Sequence, residues 1–346
     1  MRFQKPPGFQ IWNSRGFCFD IGQEKFPHLV FCGKLDYNFL YMQQCLESFR
    51  IYEGEIWMRT TGIVTDSHSS ISQSEAEKLG IFVLPMPFYM NGTCYYEGIN
   101  ITREEFLDRL CRLEDISTSQ PSPEAVMELW DKALSQYKDI LYIPISSGLS
   151  GSCQTAMMLA REEKYEGRVY VVDNGSVSAP LHRSILDALD LLESGCSAAE
   201  VKVRMEQAKT KAGIYISVDN LKYLKHGGRI SAGVALVGGL LNVKPVLHFD
   251  IGMLELYKNC RGLKRAKQTM IEEVKTVIAK SYQQEYDAGN MHIVAASSAG
   301  KEATEAWVKE IETAFPGQTI LCDDLSFGVT CHIGPGGLGI GYTCKP

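Results

Sequence analysis

Two near-continuous apolar runs set the tightest limit on what this chain can fold into. They are Asp139 to Ile145 (Asp-Ile-Leu-Tyr-Ile-Pro-Ile) and Arg168 to Asp173 (Arg-Val-Tyr-Val-Val-Asp). A strand with one wet face alternates apolar and polar residues. A run without alternation belongs to a strand covered on both faces, as in parallel sheets flanked by helices. Ile63-Val64 and Phe82-Val83-Leu84 add shorter strands of the same kind. Helical signals lie between them. Thr102 and Glu105 have capping-box spacing. Ser122-Pro123 supplies an N-cap and a first-turn proline, followed by an apolar face of Ala125, Val126, Leu129, Trp130, Ala133, Leu134 and Tyr137. Further helices are expected over about 151–163, 180–193 and 198–210. The segment 58–212 therefore reads as a parallel α/β domain.

After about residue 213 the texture changes. Ile214 to Val218 and Lys244 to Phe249 read as strands, with Gly252 turning the latter into Met253 to Tyr257. A long helix from Leu263 to Gln283, a strand at His292 to Ala296, a helix over Lys301 to Ala314 and a glycine-rich tail follow. Hairpin-paired strands with helices on one side describe an α+β domain over 213–346. At 346 residues, two domains are the expectation.

Composition narrows the function. The net charge of -6 argues against a nucleic-acid surface. The 11 cysteines are dispersed, without Cys-x-x-Cys spacing, so neither a zinc knuckle nor a dithiol motif is expected, and no metal site. Free thiols suit a reducing cytoplasm. The most apolar stretch, Ala232 to Leu247, is interrupted by glycines, Asn242, Lys244 and Pro245, so stable membrane insertion is not expected.

Four loops carry possible chemistry. Ser146 to Ser152 (Ser-Ser-Gly-Leu-Ser-Gly-Ser) follows a buried strand and opens a helix, where backbone N–H groups and hydroxyls favour an anion. It is not Gly-x-Ser-x-Gly, which disfavours a hydrolase nucleophile elbow. Ser117 to Ser122 is again rich in hydroxyls, although Ser122 alone could be there as a cap. Cys331 to Tyr342 packs five glycines into Gly334 to Gly341 beside His332. Leu221 to Ser231 ends a helix near Gly227 and places Arg229 on a turn. Arg229, Arg261, Lys264, Arg265 and Lys267 form a basic group, either a solvated face or a docking site for a phosphate-bearing partner. Asp66, Asp173 and Asp219 end strand-like segments and read as cap or turn residues.

Together these loops resemble the DegV family. The matching pieces run in the family's order: Val64-Thr65-Asp66-Ser67, then Thr118 to Ser122, then Ser146 to Ser152. Leu224 to Ile230, Lys244-Pro245-Val246-Leu247 and His332 to Gly339 complete the series. The resemblance covers about 58–346. It implies a two-domain α/β fold, with a three-layer parallel-sheet N-terminal domain, an α+β C-terminal domain and a long-chain fatty acid between them. It further implies a carrier that is not itself an enzyme and needs no cofactor. Its partner would be the catalytic subunit of an ATP-dependent fatty acid kinase, similar to dihydroxyacetone kinases. Carried over by position, Thr118 and Ser150 hold the carboxylate with Ser147 nearby, and His332 assists. Arg261 looks like the arginine of kinase interaction, supported by Arg229. Such a site holds its anion without a fixed counter-charge. Departures are Ser176 to Leu181, where Pro180 reshapes the tunnel wall, and His226 in place of a frequent lysine. The alternatives are a serine hydrolase using Ser147 or Ser150 with His332, and a lipid-sensing regulator.

Residues 1–57 lack sustained periodicity apart from a short helix expected at Phe39 to Phe49, and have no counterpart in the resemblance. Glu53-Gly54-Glu55 requires codons GAR-GGN-GAR, which permit a ribosome-binding sequence at a suitable distance before Met58. Translated upstream sequence and a genuine extension are both open. Translation from Met58 predicts a GGAG-like core in those codons. A nucleotide sequence lacking it rules that reading out.

Overall fold

The computed structural model describes residues 9–12, 18–21, 50–52, 55–57, 59–112, 114–231, 242–249 and 251–346. The helix expected at Phe39 to Phe49 and most of the apolar stretch, 232–241, lie outside them. The chain falls into two units, Met1–Trp57 and Met58–Pro346. In the first, β1 (Phe9–Trp12) pairs antiparallel with β2 (Cys18–Ile21), and β3 (Arg50–Tyr52) with β4 (Glu55–Trp57).

The second unit begins with β5 (Thr61–Asp66), helix α1 (Gln73–Leu79) and β6 (Phe82–Leu84). A hairpin of β7 (Pro87–Met90) and β8 (Thr93–Tyr96), helix α2 (Arg103–Cys111) and β9 (Ile116–Thr118) follow. The chain continues through α3 (Pro123–Leu134), β10 (Asp139–Ile143), α4 (Ser152–Leu159) and β11 (Val169–Val171). Strands β11-β10-β5-β6 form an all-parallel sheet. Ile63, Leu141 and Ile143 enter one core and Val64, Ile140 and Tyr142 another, so both faces are dry, as the unbroken apolar runs require. Ser122 caps α3 by accepting from Ala125 N. Thr102 accepts from Glu105 N in α2. The described reciprocal capping box instead opens α6, at Ser197 and Glu200.

Strands β7, β8 and β9 form a small antiparallel sheet that the sequence reading did not anticipate. Its turn is Asn91-Gly92, both at positive φ (50° and 76°), the backbone a tight hairpin requires. Phe88 and Phe106 from this segment pack on Phe327, with the Phe106 and Phe327 rings stacked at 4.4 Å.

Helices α5 (Ser178–Glu193) and α6 (Ala198–Ala208) lead to the second sheet. Its elements are β12 (Ala212–Ser217), α7 (Lys222–Gly227), β13 (Val243–Phe249), β14 (Glu255–Arg261) and α8 (Leu263–Val277). Then come α9 (Gln283–Asp287), β15 (Met291–Ser297), α10 (Lys301–Ala314), β16 (Leu321–Asp324), α11 (Phe327–Ile333) and β17 (Leu338–Cys344). The strand order is β14-β13-β12-β17-β15-β16. The expected long helix is broken: α8 ends at Val277 and one wide π turn, Ile278–Tyr282, precedes α9. Gly228, at φ 66°, rather than Gly227, closes α7.

Two expectations about this half are overturned. The glycine-rich tail is no tail: β17 is a central strand, paired with β12 and β15. Nor are the helices confined to one side. Met270 of α8 and Trp307 of α10 pack on one face, whereas the other face meets Val177 and Ala179 at the start of α5. Gly341 of β17 makes that second packing possible. A Cβ on Gly341 would lie 2.9 Å from Pro180 Cγ and 3.2 Å from Val294 Cγ2. Gly341→Val should therefore lower stability by about 1–3 kcal/mol, the usual cost of overpacking. A urea midpoint that falls with an unchanged slope would show this, and an unmoved midpoint would refute it.

Candidate functional site

A cavity of about 940 Å³, counted out to the solvent at its mouth, lies among α5, α11, the C-terminal ends of the parallel strands and the inner face of the second sheet. Most of its wall is apolar, including Ile145, Val177, Ile216, Phe249, Val294 and Ile340. Ligand sites often form outside the carboxyl ends of parallel strands. The polar lining includes Thr118, Gln120, Ser150, Arg229 and His332.

Thr118, His332, Arg229 and Ser150 line the same cavity. Thr118 ends β9, and its Oγ1 lies 2.9 Å from His332 Nε2 near the end of α11. The other imidazole nitrogen, Nδ1, is buried and has no hydrogen-bond partner among the described residues. It faces Gly227, where a Cβ would come within 1.9 Å of it, so glycine in α7 is what lets the ring sit there. Arg229 bridges the two sides: its guanidinium donates to Gly227 O at 2.6 Å and to Leu149 O at 3.4 Å. Ser150 follows, with its Oγ accepting from Ser152 N at 3.2 Å. The loop before it is pinned by Gly148, whose Cβ would meet Ile251 O at 2.1 Å.

The structure thus brings Thr118, Ser150 and His332 to one cavity and adds Arg229, which the resemblance had assigned to partner support. The cavity wall therefore carries a guanidinium beside its hydroxyls, where the resemblance implied a site without a fixed charge. Ser147 is not brought there. Its hydroxyl donates to Asp173 Oδ2 at 2.5 Å and its N–H to Oδ1 at 3.2 Å, while Lys209 Nζ holds the same carboxylate at 2.6 Å. Arg261 is exposed on edge strand β14, outside the cavity lining. The basic group also breaks up: Lys267 is buried against Glu310 at 2.9 Å, and Arg265 pairs with Glu272 at 3.5 Å.

Asp66 caps the turn after β5 and ties it to the next loop, accepting from His68 N and Ile145 N at 2.9 Å each. Burial pushes its carboxyl up to about 6. Asp219 pairs with Lys244 at 2.6 Å. His68, which sequence reading passed over, also lines the cavity. Its place directly after a buried strand was the available signal. Burial, helped by Arg229, holds His332 down to about 3 and His68 down to about 4. Both imidazoles are neutral at pH 7. Among the described residues, no group of three or more His, Cys, Asp or Glu side chains is arranged to hold a metal ion.

Comparison with known proteins fits this geometry. The profile described as "Uncharacterised protein, DegV family" matches residues 60–345. The chain belongs to the DegV family. A DegV domain-containing protein of Deinococcus radiodurans is 30% identical over 279 residues, covering 80% of this chain and 96% of that one. A DegV structure from Thermus thermophilus, described as fatty acid binding, superposes with a TM-score of 0.73 at 30% identity, covering 82% of this chain and 99% of that one. A stearic acid-binding protein from Eubacterium ventriosum gives 0.73 at 25% identity, over 82% and 98%.

The neutral His332 of this DegV chain predicts a pH effect of known sign. The unfolded histidine takes up a proton below about 6.5, whereas the folded one resists until about 3, so its contribution to stability is lost as pH falls through that window. Between pH 6.5 and 5 the loss is about 2 kcal/mol, at about 1.4 kcal/mol per pH unit. His332→Gln removes this slope. Urea titrations of both proteins should show the variant gaining on the wild type by about that amount. A constant difference would refute it.

Proposed function

We propose that this protein binds a long-chain fatty acid in the cavity and presents its carboxylate to a separate ATP-dependent fatty acid kinase, similar to dihydroxyacetone kinases, for acyl-phosphate formation. The observation that carries the reading is an apolar cavity with Thr118, Ser150, Arg229 and His332 in its wall. Thr118 and Ser150 donate to the carboxylate, His332 assists, and Arg229 supplies the counter-charge. A buried carboxylate needs such partners, since charge-assisted hydrogen bonds offset its loss of water. The acyl tail contributes about 0.8 kcal/mol per buried methylene, enough to drive retention. Family relatives described as fatty acid binding support the same ligand.

The kinase step rests on the family resemblance and on the outer surface. Arg261 and Lys264 are exposed and form no ion pair among the described residues. Tyr257 and Leu263 are exposed beside them. That combination suits a partner bearing phosphate. The setting is cytoplasmic, which the unpaired described cysteines favour. Among the described residues no helix is long and apolar enough to cross a membrane. Ser147 plays a supporting part, holding the loop to Asp173.

Native mass spectrometry of purified protein should reveal a co-purified fatty acid. Thr118→Ala combined with Ser150→Ala should weaken its retention roughly 30-fold, the loss of two hydrogen bonds of about 1 kcal/mol each. Arg261→Ala should retain the lipid and impair its phosphorylation by the kinase. Loss of the lipid in Arg261→Ala would overturn that division of roles. Ester turnover abolished by Ser150→Ala would overturn the carrier reading.

A further inference from the structure

Two polar features of the cavity wall are not used by a carboxylate held at Thr118, Ser150, Arg229 and His332. The first is His68, 9% exposed. Its Nδ1 has no hydrogen-bond partner; Asp66 Oδ1 is 3.9 Å away and already accepts from the His68 backbone. No hydrogen bond to Nε2 exists among the described residues either. The ring lies over Gly328, where a Cβ would meet Cε1 at 2.7 Å and Nε2 at 3.0 Å. Gly328 precedes His332 by four residues on α11, so both positions share a face, about 6 Å apart along the helix. His68 thus stands one helical turn from the head-group cluster.

The second is Ser178. It is buried, lines the cavity and has φ 56°, a left-handed backbone that glycine adopts without strain. Its hydroxyl lies 3.2 Å from that of Ser70, which follows His68 by two residues. A serine held in a glycine conformation and an imidazole with no side-chain hydrogen bond among the described residues, linked through the Ser69-Ser70 turn, put a second polar locus in an apolar wall.

We propose that the cavity takes a fatty acid carrying a hydroxyl within the first few carbons of its carboxyl group, with that hydroxyl received by His68 and Ser178. This rests on the fatty-acid reading above. A hydroxyl both donates and accepts, so it can pair with a neutral imidazole in either tautomer or with a serine of the same wall. A plain methylene leaves the buried imidazole unpaired, which is unfavourable. His68 is neutral at pH 7, so a neutral substituent matches it better than a second carboxylate.

The test is competition. The delipidated full chain is incubated with equimolar palmitate, β-hydroxypalmitate and ω-hydroxypalmitate, and the bound species are read by native mass spectrometry. The β-hydroxy acid should be favoured by about tenfold or more over both others, because a site built to pair a hydroxyl rejects the analogue lacking it. His68→Leu should erase the preference and still take palmitate. Ser178→Gly, which relieves the backbone strain and therefore folds, should reduce the preference as well. Palmitate binding as well as β-hydroxypalmitate to the wild type overturns the proposal, as does a preference that survives both substitutions. If none of the three acids binds, the fatty-acid reading itself falls and the proposal with it.

Discussion

Everything in the second unit is arranged around the burial of α5 between two sheets. Eleven of its 16 residues are buried, including Ser178, His182, Ser184 and Asp187, so it is far from an ordinary one-stripe amphipathic helix. Leu181, Ile185, Ala188 and Leu189 pack on Ile63, Leu141 and Ile143 of the parallel sheet. Val177 and Ala179 pack on Ile216 and Val294 of the mixed sheet. A helix used on both sides needs partners for most of its buried polar groups. Arg183 donates to Asp187 Oδ1 at 2.8 Å, His182 Nδ1 meets Asp323 Oδ2 at 3.0 Å and Ser184 donates to Pro180 O at 2.8 Å. Because α5 starts between the sheets, its first turn becomes cavity wall. The binding space follows from how the halves are joined.

The same economy appears in the backbone. Gly227 admits His332, Gly148 admits the Ile251 carbonyl, Gly328 admits His68 and Gly341 admits Pro180. Each is a place where two segments distant in sequence approach more closely than a Cβ allows. Ser146 Oγ reaches Ile251 O at 3.3 Å, and Arg229 reaches Leu149 O, so this end of the cavity is stitched from both halves. Displacing one half would separate Thr118 from His332, 214 residues away in the chain.

Much of this was legible in the sequence because the signals were local. Apolar runs without alternation marked β10 and β11, and Ser122-Pro123 marked the start of α3. The order of the loop motifs resembled a family that the profile match bears out. What was not legible depended on contacts. The glycines of β17 looked like a tail because what Gly341 does, leaving room for Pro180 of α5, is a contact no window of sequence contains. Ser147 and Ser150 are equivalent as hydroxyls in a loop; only the position of Asp173 turns one of them away. Arg229 and Lys267 read as members of one basic face, yet one lines a cavity and the other is buried on Glu310. The Asn91-Gly92 hairpin carried a readable signal that a search for parallel strands passed over.

The electrostatics around α11 are balanced in a way single residues do not reveal. His68 and His332 are held at about 4 and 3, below their ordinary values. Asp66 and Glu97 are pushed by burial up to about 6 and 7, and Glu97 accepts from Phe327 N at the start of α11. Between about pH 4.5 and 6 all four groups lie between their folded and unfolded values. There the unfolded chain binds two protons on imidazoles that the folded chain leaves bare. The folded chain binds two on carboxyls that the unfolded chain leaves ionised. Stability follows the difference in bound protons, so the two histidines lower it with falling pH while the two acids raise it by a similar amount. Over that range the loss carried by the two imidazoles is therefore opposed by the two carboxyls. A change to either histidine exposes the opposing slope of the acids.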